Sequence, residues 1–461
     1  MRMRCGFIVL IAGSLIVASA HAGQPQAEWQ AGVARVEITP DGPVWMSGYA
    51  ARKSPSEGVE RPLFVKALAL QSGDERPIVL VTADLIGFNR AFTGRVVERL
   101  KAKYALPREN VILFASHTHT GPMLIDSVDR MKAYGIDPEK AENNRRFTRE
   151  LEEKVVSLVA EALTRLEPVT IAFGTGTASF AMNRREKTAT GFKIGVNPDG
   201  PTDKSVPVLR VTTAAGKPLA IVFGYACHNT TLTEKFMKLS GDYAGFAQDL
   251  IEAANPGATA LFVTGCAGDA NPEPRGKVEL ALAHGRELAD AVAAVLAKPL
   301  ISLHGPIRAA YTEATLHFSG PPDRPSYEKR LQEPGTTRQG HAKRMIEAID
   351  QGKPFRTEYP YPVQAFALGD QLTMVALGSE VVVDYALRLK SELGGETKPL
   401  WVAAYANDVF GYIPSLRVRN EGGYEGLEAF YGSLFPTPLA DDVETRVVRA
   451  AREVVEKVRG R

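Results

Sequence analysis

Hydrophobic and polar positions along the chain switch repeatedly between two periods. Short apolar runs bounded by turn residues read as strands, and longer stretches with apolar residues at 3.6 spacing read as amphipathic helices. Strand-like runs cover 31–39, 63–71, 78–85, 111–115, 169–173, 206–213, 218–226, 259–263 and 400–406. A further run, 363–377, divides into two strands around Gly369-Asp370. Helical spacing covers 92–103, 147–166, 243–254, 278–297, 381–393 and 441–458. Ser72-Gly73-Asp74 and Ala214-Ala215-Gly216-Lys217 predict hairpin turns. The alternation predicts an α/β fold: a mixed, mostly parallel sheet flanked by helices. The polar stretch 130–144 could cover a site, and the charged section 319–362 reads as an excursion from the main layer.

The polar residues at the ends of the apolar runs carry the chemistry. The strand 111–115 leads into Ser116-His117-Thr118-His119-Thr120-Gly121-Pro122. In extended backbone, positions i and i+2 point to the same side, so both imidazoles can face one spot. A metal-binding role and an ordinary structural role are both open for such a pair. His228 ends the strand 218–226, and Glu380 follows the strand before it. In α/β sheets, ligands gather outside the carboxyl ends of strands. Two histidines and a carboxylate with one open position suit catalytic zinc. The pattern therefore predicts a zinc site at the carboxyl ends of strands. Asp84 closes another strand and reads as a helix cap or a site residue. Asp242 reads as a helix cap. Asn183-Arg184-Arg185 reads as part of a loop of glycine and charge.

Composition narrows the class. Of 461 residues, 44% are hydrophobic and 23% charged, which is enough for a large core. The net charge of +2 comes without a basic block, so nothing points to nucleic acid. The N-terminus, residues 1–22, reads as a cleavable signal peptide. Met1-Arg2-Met3-Arg4 is basic, an apolar run follows, and Ala20-His21-Ala22 fits the cleavage pattern. The mature chain is then secreted or periplasmic. It keeps Cys227 and Cys266, as buried free thiols or as one local bridge. His284, His304, His317 and His341 match no site pattern and read as structural or exposed.

The chain resembles the neutral/alkaline non-lysosomal ceramidase family in its N-terminal catalytic domain, over residues 23–461. The matching segments are Gly32-Val33-Ala34-Arg35, Met46-x-Gly48-Tyr49-Ala50, Thr82-Ala83-Asp84, Ser116-His117-Thr118-His119-Thr120-Gly121-Pro122, Asn183-Arg184, Cys227-His228, Gly268-Asp269, Gly378-x-Glu380, and the tyrosines Tyr412 and Tyr424. The resemblance implies a zinc amidohydrolase. Its Zn2+ ligands fall on His117, His228, Glu380 and Tyr412, while His119, Arg184 and Tyr424 face the substrate. Arg184 and Tyr424 then donate to the oxyanion, and His119 carries a proton to the leaving amine. Asp84 and Asp269 become candidates to orient the ligand histidines from behind.

Two departures from the family pattern shape the expectation. The family motif Gly-Asp-x-Ser-Pro-Asn stands here as Gly268-Asp269-Ala270-Asn271-Pro272-Glu273. Asn271 has no nucleophilic hydroxyl, so it can serve only as a hydrogen-bonding catalytic group. The family's C-terminal β-sandwich domain is also expected to be absent. The implied function is a secreted zinc-dependent hydrolase of ceramide or a related N-acyl compound, with peripheral membrane contact as an accompanying expectation. The alternatives are an ester or lactone hydrolase on the same scaffold, and a catalytically lapsed member that binds a ligand.

Overall fold

Alternation along one strand shows how the layers are built. In Phe64–Ser72, Val65, Ala67 and Ala69 face one core, while Leu68 and Leu70 face another. Ile78–Ala83 and Val111–Ala115 divide in the same way. The first core packs against the helices Arg90–Tyr104 and Glu142–Thr164. The second lies between this sheet and a second sheet that contributes Phe366, Met374 and Trp401. Helices Asp242–Ala254 and Val278–Leu296 cover another part of the first sheet, and Val383–Leu393 and Val443–Val458 cover the outer face of the second. The order of layers is helix, sheet, sheet, helix. The architecture comes from a computed structural model, which describes residues 29–125, 136–137, 139–320, 323–433 and 435–460. The expected signal peptide at 1–22 lies outside the described residues, as do 126–135 and 138 of the polar region.

The first sheet is nine-stranded and mixed. Its strands run in the order Thr259–Thr264, Pro218–Tyr225, Ser205–Thr213, Glu167–Thr177, Trp29–Glu37, Phe64–Ser72, Ile78–Ala83, Val111–Ala115, with Ile301–Leu303 beside Glu167–Thr177. The expected majority of parallel pairings is not found. Only Pro218–Tyr225 with Thr259–Thr264 and Ile78–Ala83 with Val111–Ala115 are parallel among its described pairs. The reason is the connections. Tight turns at Gly73 and Gly216 can join only antiparallel neighbours, whereas parallel neighbours need a crossover. Helices Arg90–Tyr104 and Asp242–Ala254 supply the two crossovers. A third parallel pair, Leu372–Leu377 with Leu400–Ala403, lies in the second sheet and uses Val383–Leu393. His117, His228 and Glu380 each belong to one of these three crossover units.

The first sheet curls until its edge strands meet. Thr264 Oγ1 donates to Ala115 O at 2.9 Å, and Lys66 Nζ, buried, donates to Ala260 O at 2.8 Å. The section read as an excursion forms two helices, Arg324–Arg330 and Thr336–Asp350, with a small core of Tyr327, Ala342 and Met345. Both cysteines are free and buried.

Gly32 explains part of the first recurring segment. A Cβ there would stand 2.0 Å from Ala162 O and 2.9 Å from Arg165 C, at the end of the helix packed on this strand. Backbone on both sides cannot yield as a side chain can. Gly32→Ala should therefore lower stability by about 1–3 kcal/mol, the usual cost of overpacking. Urea unfolding measures it; an unchanged midpoint would show that strand and helix can separate freely.

Candidate metal centre

The strand Val111–Ala115 ends abruptly. Ser116 N–H still bonds to Ala83 O, at 2.9 Å, but His117 has φ +61°. The two histidines are therefore not related by strand alternation. The chain kinks at His117 and is then pinned to the His228 segment. Thr118 bridges to Asn229, and the Asn229 amide donates to Ser116 O. The kink brings His119 Nε2 to 3.2 Å from His117 Nε2. Ser379, Tyr405 and Asn407 also carry positive φ, at +64°, +56° and +63°. Such conformations are costly for non-glycine residues and gather where surrounding structure over-determines the backbone, often at functional sites.

His117, His119 and His228 offer ring nitrogens within 4.8 Å of one another, so this buried triad can hold a metal ion. Glu380 joins it. Its Oε2 lies 3.3 Å from His117 Nε2 and 3.1 Å from His228 Nε2. The other ring nitrogens decide what these contacts are. His117 Nδ1 lies 2.7 Å from Ile86 O, and His228 Nδ1 lies 2.7 Å from Ala267 O. A carbonyl can only accept, so each Nδ1 carries the proton. Burial, followed by the charge of Arg184, pushes His228 down to about 3, so it is neutral near pH 7. A neutral ring with its proton on Nδ1 presents Nε2 as a lone pair. Lone pairs and a carboxylate facing each other at this range repel unless a cation lies among them. The donor set therefore fits a metal.

The carbonyls occupy the place expected for Asp84 and Asp269, and neither aspartate orients a ligand histidine. Asp84 accepts from Phe64 N–H at 3.1 Å and pairs with Arg61 at 3.3 Å. It is also not a helix cap. Asp269 accepts from Val383 N–H at 2.8 Å and from Asn183 at 3.3 Å, fixing the start of a helix and one strand. Asp242 does sit at the start of its helix, where its carboxylate takes Tyr243 N–H and ties Leu232 N–H at 2.8 Å.

His119 differs from the other two imidazoles. Its Nδ1 is buried without a protein partner among the described residues. The ring lies against Gly48, where a Cβ would come within 2.3 Å of Nδ1, and against the edge of Tyr49. Arg52 donates to the His119 carbonyl and to Ser47 O. The Gly48-Tyr49 segment thus forms the wall behind this ring. Burial, and then the neighbouring His117, hold the His119 pKa well below the usual imidazole range.

Glu380 and Tyr412 are set side by side by a two-residue parallel ladder, Glu380–Val381 with Tyr412–Ile413. Tyr412 Oη accepts from Arg184 at 2.9 Å and lies 3.5 Å from His228 Nε2. Arg184 is not in a loop. It belongs to the strand Ala181–Thr188, the middle of a small three-stranded sheet. Its charge misled the sequence reading, because that charge is buried and neutralised. Arg184 Nε donates to Glu425 at 2.7 Å, and Arg185 donates to the other oxygen of Glu425 at 2.7 Å. Arg184 Nη1 also reaches Asn271 Oδ1 and His228 Nε2, each at 3.2 Å. Asn271 is buried beside it, held on the strand Ala270–Pro272 that pairs with Ala181–Asn183. Tyr424 packs edge-on to Tyr412 with centroids 5.4 Å apart and is 37% exposed. All eight residues singled out in the sequence are therefore gathered around one centre.

Tyr405 was missed. It is fully buried, with its ring centroid 4.3 Å from that of His117. In sequence it is one aromatic in the apolar run 400–406, and nothing distinguishes it from core.

The profile of the neutral/alkaline non-lysosomal ceramidase N-terminal domain matches residues 29–281. A neutral ceramidase of Pseudomonas aeruginosa is 26% identical over 286 residues, 58% of this chain and 41% of that protein. One of Drosophila pseudoobscura pseudoobscura is 23% identical, over 52% of this chain and 34% of that protein. The matched part is thus well under half the length of these relatives. The fold is similar to a solved neutral ceramidase from Pseudomonas aeruginosa, with TM-score 0.71 and 19% identity, covering 94% of this chain and 74% of the other. A structure described as ceramidase complexed with C2 gives TM-score 0.71 at 18% identity over the same share of this chain.

Glu425 is the counter-charge for two buried arginines, so its loss strands both. Glu425→Gln should cost about 3–5 kcal/mol, as for other broken buried pairs, read from urea unfolding. Burial opposes ionisation of Glu425, but Arg184 and Arg185 outweigh it and hold the carboxyl below its usual range. A depressed carboxyl pKa contributes stability above the unfolded value, about 4.3. That contribution is lost as pH falls through the folded value. Between those two values wild type should lose stability more steeply than Glu425→Gln; parallel curves would remove Glu425 from the acid response.

Proposed function

The chain belongs to the neutral/alkaline non-lysosomal ceramidase family, and on that premise we propose that it is a secreted or periplasmic zinc-dependent hydrolase. Its substrate in this reading is the amide bond of ceramide or a related N-acyl compound. The observation that supports it most is the approach of His117 Nε2 and His228 Nε2 to Glu380 Oε2, with each Nδ1 committed to a carbonyl. In this reading His117, His228 and Glu380 hold Zn2+ and Tyr412 is the fourth ligand. Bound zinc supplies Lewis acidity and lowers the pKa of water from about 15.7 to about 7.

The remaining residues divide the other tasks. His119 stands next to a ligand nitrogen and is kept neutral, so it can take a proton and pass it to the departing amine nitrogen. Tyr424, partly exposed over Tyr412, donates to the carbonyl oxygen as it gains charge. Arg184 spends its N–H groups on Glu425, Asn271, His228 and Tyr412, so it acts by holding these groups in place. Asn271 directs its Oδ1 at Arg184, which leaves its NH2 to donate to a substrate oxygen. No step requires a side-chain nucleophile. The reading includes a signal peptide at 1–22 and contact with a lipid surface, where such a substrate resides.

Elemental analysis should find about one zinc per chain, the stoichiometry this ligand set implies. His117→Ala should lose it. His119→Ala should keep it and lose rate by about 10²–10⁴-fold, the usual worth of a general acid-base group. Loss of metal in His119→Ala would make His119 a ligand instead. Fatty acid release from a fluorescent ceramide, with short N-acyl amides and matched esters in parallel, tests the substrate. Turnover of esters alone would replace the amidase reading with the esterase one, and a folded, metal-free, inactive protein would leave ligand binding.

A further inference from the structure

The carbonyls of Ile86 and Ala267 fix the ligand imidazoles, yet Glu380 has no comparable restraint on its second oxygen. Tyr405 stands against it. Its backbone N–H bonds to Ser379 O at 3.1 Å, the residue before Glu380. Its ring lies over His117, tilted by 43°, and edge-on to His228 at 6.2 Å. Its hydroxyl is buried without a protein partner among the described residues. A buried donor left unmade costs about 1–3 kcal/mol, and the backbone at Tyr405 is strained as well, at φ +56°. Two unfavourable features in one residue call for a return elsewhere. Burial, and then the negative charge of Glu380, hold the phenol well above its ordinary range, so the group stays protonated and can donate.

We propose that Tyr405 is a positioning residue of the metal centre: its ring holds the plane of the His117 imidazole, and its hydroxyl donates to the Glu380 carboxylate when a cation is bound. The proposal rests on the metal reading above and extends it from the ligands to the support behind them. A hydrogen bond from an outer partner raises metal affinity by about 10–100-fold in comparable sites. The hydroxyl would then be unpaired in the metal-free protein and paired in the loaded one.

That difference gives the test two readouts that part company. Wild type, Tyr405→Phe and Tyr405→Leu are stripped of metal, titrated with Zn2+ against a chelator, and melted with and without it. Tyr405→Phe should bind zinc about tenfold more weakly, while its metal-free Tm is unchanged or higher. Tyr405→Leu, which also removes the ring from His117, should bind more weakly still and melt lower. Equal zinc affinity of wild type and Tyr405→Phe would overturn the proposal, as would a lower metal-free Tm for Tyr405→Phe with affinity retained. Failure of wild type to bind zinc would overturn the metal reading itself, and this one with it.

Discussion

Two imidazoles that give their Nδ1 protons to backbone carbonyls have only lone pairs to offer Glu380. That constraint governs the centre of the molecule. Three electron-rich atoms drawn to within 3.3 Å of one another in a buried place need a positive charge between them. The carbonyls that impose the tautomers come from Ile86 and Ala267, each just beyond the end of a strand. Ligand, restraint and strand end thus belong to one local design, repeated in separate parts of the chain.

The fold brings those parts together through its few parallel connections. Antiparallel hairpins make most of the first sheet, but each of the three parallel crossovers delivers one of His117, His228 and Glu380. A second network joins the centre to the C-terminal loop. Glu425 bridges Arg184 and Arg185, and Arg184 reaches on to Asn271 and Tyr412. Each buried charge therefore has a counter-charge, as burial at this depth requires.

Much of this was legible in the sequence, for reasons that differ by residue. Helices such as Val443–Val458 show their 3.6 period plainly, and strands such as Val111–Ala115 are unbroken apolar runs. The histidines stood out because imidazole is rare at strand ends, and the family pattern assigned the rest of the site. Pairing direction was misread because apolar runs look alike in parallel and buried antiparallel strands. Asp84 and Asp269 sit where outer carboxylates would, but backbone atoms took that role, and backbone leaves no mark in a sequence. Arg184 looked like a loop residue because its partner lies 241 positions away. Tyr405 was hidden by being apolar in every respect except one oxygen.

The curl of the first sheet has a consequence for how the protein behaves among other copies of itself. Val111–Ala115 is an edge strand, and an apolar edge strand is a template for aggregation. Here its outer side is occupied: Asn407 N–H bonds to Leu113 O at 2.8 Å, and Phe114 bridges to Ala406. At its carboxyl end Thr264 closes onto Ala115 O. The segment that carries Tyr405 and leads to Tyr412 therefore also shields the stickiest edge of the sheet. Damage that loosens it would be felt first as loss of solubility.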